Sequence, residues 1–336
     1  MSRIRFHHFA WGLLLYMLPA IVWGAYVRAS HSGDGCGAHW PLCNGQVIPE
    51  AMHAKTWVEY GHRLSTGILL PLSIALVVWA FRAFGRNHPV RIAAAFTLFF
   101  MCTEALIGAR LVLHNLVADN ASVSRAIYMA AHLVNTFLLL AALLLTAWWG
   151  SGRPFARLRG RSGTVWMMAC ATLAVLILGI SGAVTALGDT LFPARNLNEA
   201  VLGALSPLSH FLIRLRLWHP LLAITLGFAI VLIAARIGRQ QRDPVVTLLA
   251  GGIGLQYAAQ LVIGFFNARL MAPIPMQLVH LLMADLIWLN VIALGAAALA
   301  EPVRAVQETL LSRDETQAAL LQKAGERWPV KSPSLR

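Results

Sequence analysis

The chain has 336 residues, of which 58% are hydrophobic and only 12% charged, where a soluble domain carries about a quarter charged residues. That balance excludes a soluble globular enzyme and points to an integral membrane protein with no large soluble domain. The formal charge of +13 does not imply a nucleic-acid partner, because the arginines form no single patch but punctuate apolar runs, as topology signals do.

Eight apolar runs, at about 9–29, 58–81, 91–113, 125–149, 164–187, 210–235, 245–268 and 276–300, each approach the roughly 20 residues that cross a bilayer. Helices are expected, since lipid cannot satisfy free backbone groups. Alternate connections hold Arg3 and Arg5; Arg82, Arg86 and Arg91; Arg153, Arg157, Arg159 and Arg161; Arg236, Arg239 and Arg242; and the tail adds Arg304, Arg313, Lys323 and Arg327. These should face the cytoplasm, with both termini inside a plasma (inner) membrane. The first run has no small-residue cleavage site and reads as a retained anchor.

In chain order, the first outer loop carries Cys36 and Cys43 in a Gly/Pro-rich stretch. On an oxidising face the pair is expected to form a disulfide, as a loop staple or as a redox-active pair. Next comes Trp57-Val58-Glu59-Tyr60-Gly61-His62-Arg63-Leu64, which leads into an apolar run ending near Phe81. Ionisable groups at the mouth of a membrane helix are costly and are functional suspects. Glu59 and His62 share a face, and Glu59 can also pair with Arg63 four residues on.

The two halves of the chain echo each other. Gly24 in run one pairs with Gly182 in run five, and Gly108 in run three with Gly264 in run seven; His62 pairs with His219, and His132 with His280. Small residues such as Gly24, Gly67, Gly108, Gly182 and Gly264 would let helices approach. The expected fold is all-α and polytopic: eight transmembrane helices in two pseudo-symmetric four-helix bundles, inserted the same way up. Residues 1–150 form one half, 151–300 the other, and 301–336 a polar cytoplasmic tail. Two imidazoles converging inside a bundle suit a six-coordinate heme iron, whereas zinc would want three or four ligands. One heme site per half is therefore expected, His62 with His132 and His219 with His280, both displaced toward the outer face; His210 is a weaker candidate.

The halves differ three residues before the histidine: Glu59 in the first, Arg216 in the second. A guanidinium suits a heme propionate, so Arg216, Arg214 and Arg63 are candidates for that role. Glu59 is better placed to take a proton or orient water. Glu104 and Asp285 are also buried acids, expected to pair with interhelical hydroxyls, amides or an arginine, or to relay protons.

At these residues the chain resembles the heme A synthase family. The resemblance runs over roughly residues 10–300 and is carried by GAYVRASHSGDGCGAHWPLCNG (24–45), EYGHRLSTG (59–67), GAVTALGDTLFPA (182–194), LRLWHPLLA (215–223) and MQLVHLLMADLIW (276–288). It implies oxidation of one methyl group of heme O to a formyl, giving heme A for terminal oxidases. The first half would hold the heme O substrate and the second a permanent heme b. Glu59 matches the glutamate needed for catalysis, aiding proton removal or water attack at the methyl, and Cys36 and Cys43 match an outer-loop pair. Some members carry a second pair in the equivalent loop, but residues 188–209 hold no cysteine. Partners implied are heme O, the farnesylating heme O synthase upstream, oxidase assembly factors downstream and membrane lipid, with a homo-oligomer left open. The rival readings are a di-heme b-type electron-transfer cytochrome and a heme carrier.

Overall fold

The computed structural model describes residues 3–50, 53–241 and 243–300. The tail expected from Glu301 onward and Arg242 lie outside them. Among the described residues the chain is helical, with two isolated β-bridges. The elements are α1 (Arg3–Ala29), α2 (Ala54–Ala83), α3 (Pro89–Leu113), α4 (Val123–Gly150), α5 (Ser162–Leu191), α6 (Leu197–Leu205), α7 (Phe211–Arg214), a 3₁₀ turn (Leu215–Leu217), α8 (Trp218–Gln240), α9 (Pro244–Arg269) and α10 (Ile274–Ala298). Eight helices are long and apolar enough to cross a membrane, with Phe211–Gln240 counting as one. These are the eight runs expected, each but the last somewhat longer than its apolar stretch.

Local chemistry explains the differences. The first turn of α2 precedes the apolar run because the preceding loop holds it: Thr56 Oγ1 donates to Gly35 O at 2.8 Å and Lys55 pairs with Asp34 at 3.2 Å. Glu59 and His62 therefore lie one and two turns inside the helix, not at its mouth. The extra helix α6 is started by Asn196, whose side chain accepts from Glu199 N at 2.9 Å, as an N-cap does. The sixth span is broken into α7, the 3₁₀ turn and α8 just ahead of Pro220, which has no N–H to continue the backbone ladder. His210 caps α7 by accepting from Leu212 N at 3.4 Å, and its ring lies against Phe192 and Phe211.

The helices close into two rings. In the first, α1 packs on α2, α2 on α3, α3 on α4 and α4 on α1; in the second, α5, α8, α9 and α10 pack in the same cyclic order. Helices α1 and α4 face α5 and α10 across the seam. There Phe137 stacks on Trp288 at 4.9 Å, and Trp288 Nε1 donates to Phe137 O at 2.6 Å. A Cβ on Gly179 would come within 2.6 Å of Leu133, so the α4–α5 approach depends on a bare backbone. Outward faces stay apolar and exposed, as at Leu15, Ile92, Phe96, Leu248 and Leu255, which suits a lipid surround rather than water.

Candidate functional site

Each histidine expected at the site lies toward the end of the rings that carries the Cys36–Cys43 loop. That loop is closed by a disulfide between Cys36 and Cys43, with both cysteines buried. It sits directly on α2: a Cβ on Gly35 would come 2.4 Å from the Lys55 backbone, so no larger residue fits.

Glu59 is 3% exposed. Its Oε2 accepts the Cys36 N–H at 2.8 Å, and its Oε1 accepts from Arg63 Nη2 at 2.5 Å and Nε at 3.2 Å. Arg63 Nη1 donates to the His39 and Leu42 carbonyls, both at 2.7 Å. The helix pair Glu59–Arg63 is thus formed, and it also fastens the Cys loop to α2. A charged donor and a backbone amide on one buried carboxylate are the strong kind of hydrogen bond.

Three of the four imidazoles share a packing device. A Cβ on Gly24 would meet His62 Cε1 at 3.0 Å, one on Gly182 would meet His219 Cε1 at 3.1 Å, and one on Gly264 would meet His280 Cε1 at 3.0 Å. Three rings therefore lie flush on a glycine of the neighbouring helix. The fourth departs: nothing lies within 4 Å of a Cβ on Gly108, nor of one on Gly67, so these two glycines do not serve the close approach expected of them. His132 lies instead against Glu104, with Nδ1 3.3 Å from Oε1, an ion-pair distance off the line of a good hydrogen bond. Asn135 Nδ2 donates to Glu104 Oε2 at 2.5 Å and Thr136 Oγ1 lies 2.5 Å from Glu104 Oε1. Glu104 thus takes the amide and hydroxyl partners expected of it, whereas both oxygens of the fully buried Asp285 lack a hydrogen bond among the described residues.

In the second ring His219 and His280 have ring centroids 6.2 Å apart at 86°. Ser181 Oγ lies 2.9 Å from His219 Nδ1, and Gln260 Nε2 lies 3.3 Å from His280 Nε2 and donates to His280 O at 3.1 Å. In the first ring His62 stands on α2 and His132 on α4. Arg216 pairs through Nε with Asp189 at 2.6 Å and donates from Nη2 to Phe192 O at 2.9 Å, while Arg214 is exposed.

Sequence reasoning missed Arg28. Its Nη1 donates to Ala186 O at 2.8 Å and Thr190 Oγ1 at 2.6 Å, and its Nη2 to Gln277 Oε1 at 2.9 Å. It therefore ties α1 of one ring to α5 and α10 of the other. The available signal was a guanidinium within an otherwise apolar run, at a place where the second half has Ala186. Arg125, 3% exposed, was missed too; it donates to Ala118 O and Asn120 O.

Residues 7–292 match the model of the cytochrome oxidase assembly protein family, COX15-CtaA. The chain belongs to this family. Among relatives, it is 46% identical over 303 residues to a protoheme IX farnesyltransferase of Thermus thermophilus, covering 90% of this chain and 50% of that protein. It is 34% identical over 174 residues to the heme A synthase of Symbiobacterium thermophilum, covering 48% and 54%. Over 99 residues it is 40% identical to the heme A synthase of an Exiguobacterium species, covering 30% and 33%. The chain thus spans about half the length of the first relatives it matches. In this family member the sequence-predicted histidines gather at one end of each ring, and Glu59 belongs to the first ring alone.

Proposed function

We propose that the chain is a heme A synthase that oxidises a methyl group of heme O to a formyl. The observation carrying this reading is the approach of His219 to His280, on the second and fourth helices of the second ring with ring centroids 6.2 Å apart, together with His62 and His132 on the matching helices of the first ring, where alone a buried acid docks on the Cys loop. The relatives named heme A synthases support the substrate class. In this reading residues 1–150 bind heme O through His62 and His132, residues 151–300 bind heme b through His219 and His280, and the Cys loop faces the outer side with both termini cytoplasmic.

The donor set suits a porphyrin iron. The Nδ1 atoms of His62 and His280 are buried without hydrogen bonds, and the glycines under three of the rings let each imidazole seat directly on the neighbouring helix. Among the described residues no three His, Cys, Asp or Glu cluster to chelate a bare ion; pairs of imidazoles are what the rings offer. Bound heme supplies the redox chemistry that side chains lack. Glu59 is the group to receive a proton or steer water near the substrate's edge, held in register by Cys36 N–H and Arg63. A propionate at Arg63 or Arg216 would share a guanidinium that already holds Glu59 or Asp189, so the exposed Arg214 is the cation with fewest competing duties.

The name of the Thermus relative favours a second reading, farnesyl transfer to protoheme. That reaction calls for a divalent cation on a diphosphate leaving group, and the described residues gather no acidic cluster for it. Incubating the purified chain with heme O and an electron acceptor, then resolving extracted pigments by chromatography, tests the proposal. Heme A should accumulate; unchanged heme O would refute it, and conversion of protoheme to heme O with farnesyl diphosphate would install the alternative.

A further inference from the structure

The internal repeat matches Glu104 to Gln260, since each stands four residues before a paired glycine, Gly108 or Gly264. Everything that holds Glu104 follows the same division. Thr103, Asn135 and Thr136 correspond by register to Ala259, Met283 and Ala284. Thr103 Oγ1 donates to Asn135 Oδ1 at 2.6 Å, which turns the Asn135 amide nitrogen toward Glu104 and the Phe100 carbonyl. The carboxylate therefore has an oriented amide on one oxygen, and a hydroxyl and the His132 ring on the other. Four polar residues stand together in one half, and an amide with three apolar residues stands in the other. A lone acid at this depth would be expensive; one built with its own donors is an arranged feature.

We infer that Glu104 is a positioning residue: it holds the Nδ1 side of His132 and makes that imidazole a more electron-rich iron ligand than His280, whose neighbour Gln260 carries no charge. This rests on the reading that His62 and His132 bind a heme iron. A carboxylate behind a ligating histidine fixes the ring and raises its basicity, which stabilises ferric over ferrous iron. The two heme sites are then poised at different potentials by one acid-to-amide exchange, the first lower than the second.

The test uses the full chain, purified in detergent and reconstituted with protoheme, with the two midpoint potentials assigned through His62→Ala and His219→Ala. Glu104→Gln should shift the first-half potential upward and leave the second unmoved. Gln260→Glu should shift the second-half potential downward. If Glu104→Gln moves neither potential, or both alike, the inference is overturned, because a merely structural role alters heme content or melting without a selective shift. If Glu104→Gln fails to retain first-half heme, Gln260→Glu decides alone: a lowered second-half potential supports the inference and an unchanged one overturns it. Should the wild-type chain bind no heme that depends on His62 and His132, the underlying functional reading fails instead.

Discussion

Glu59 accepts the backbone N–H of Cys36 at 2.8 Å. One carboxylate thus joins the loop closed by the disulfide to the helix that carries His62. Through Arg63, the same acid reaches the carbonyls of His39 and Leu42. The loop and the acid are one unit, and a change in either should be felt in the other.

Glu59→Ala should abolish heme A formation while heme b stays bound through His219 and His280. It strands the Arg63 guanidinium, 12% exposed, and breaking such a pair costs roughly 3–5 kcal/mol. Glu59→Gln retains an acceptor for Cys36 N–H and should keep more of the fold while losing turnover. Heme b content, melting in detergent and product chromatography separate the two effects.

Replacing both Cys36 and Cys43 by Ser should loosen the loop rather than the bundle. Limited proteolysis should then cut between residues 36 and 50, where the intact protein resists, with heme b content unchanged. Turnover should fall because the Cys36 amide no longer fixes Glu59. Resistance equal to that of the native chain would argue that the disulfide is not the staple.

The glycines under the histidines give a graded test. Gly182→Val places bulk where a Cβ alone would be 3.1 Å from His219. Overpacking of this kind costs about 1–3 kcal/mol, and the ring should be pushed from its seat, with loss of heme b. Gly67→Ala, where a Cβ meets nothing within 4 Å, should leave pigment and melting intact. Pigment content measured side by side for the two variants checks the contrast.

Arg28→Met removes the cation that donates to Ala186 O, Thr190 Oγ1 and Gln277 Oε1 across the seam. Hydrogen bonds of a charged donor are worth about 1.5–3 kcal/mol, so melting in detergent should drop by several degrees. Each half should retain its histidines in place, so heme content should fall less than stability.

The sequence made the eight spans legible because long apolar runs leave few alternatives in lipid. The disulfide was readable from two cysteines in one short loop. Element ends were less legible: the start of α2 depends on Thr56 and Lys55 reaching back to the Cys loop, and α6 on the Asn196 cap. Glu104 could be seen as a buried acid, but its neighbours Thr103, Asn135 and Thr136 become a constellation only when α3 lies against α4. Arg28 was hidden because its partners stand more than 150 residues away, on α5 and α10.

The most direct test of two paired-histidine heme sites is pigment extraction from the wild-type chain beside two variants, His62→Ala/His132→Ala and His219→Ala/His280→Ala. The wild type should yield heme b together with heme O or heme A; loss of the first pair should leave only heme b, and loss of the second should remove it. Retention of every pigment in both variants, or heme b alone from the wild type at two equivalents per chain, would contradict the account.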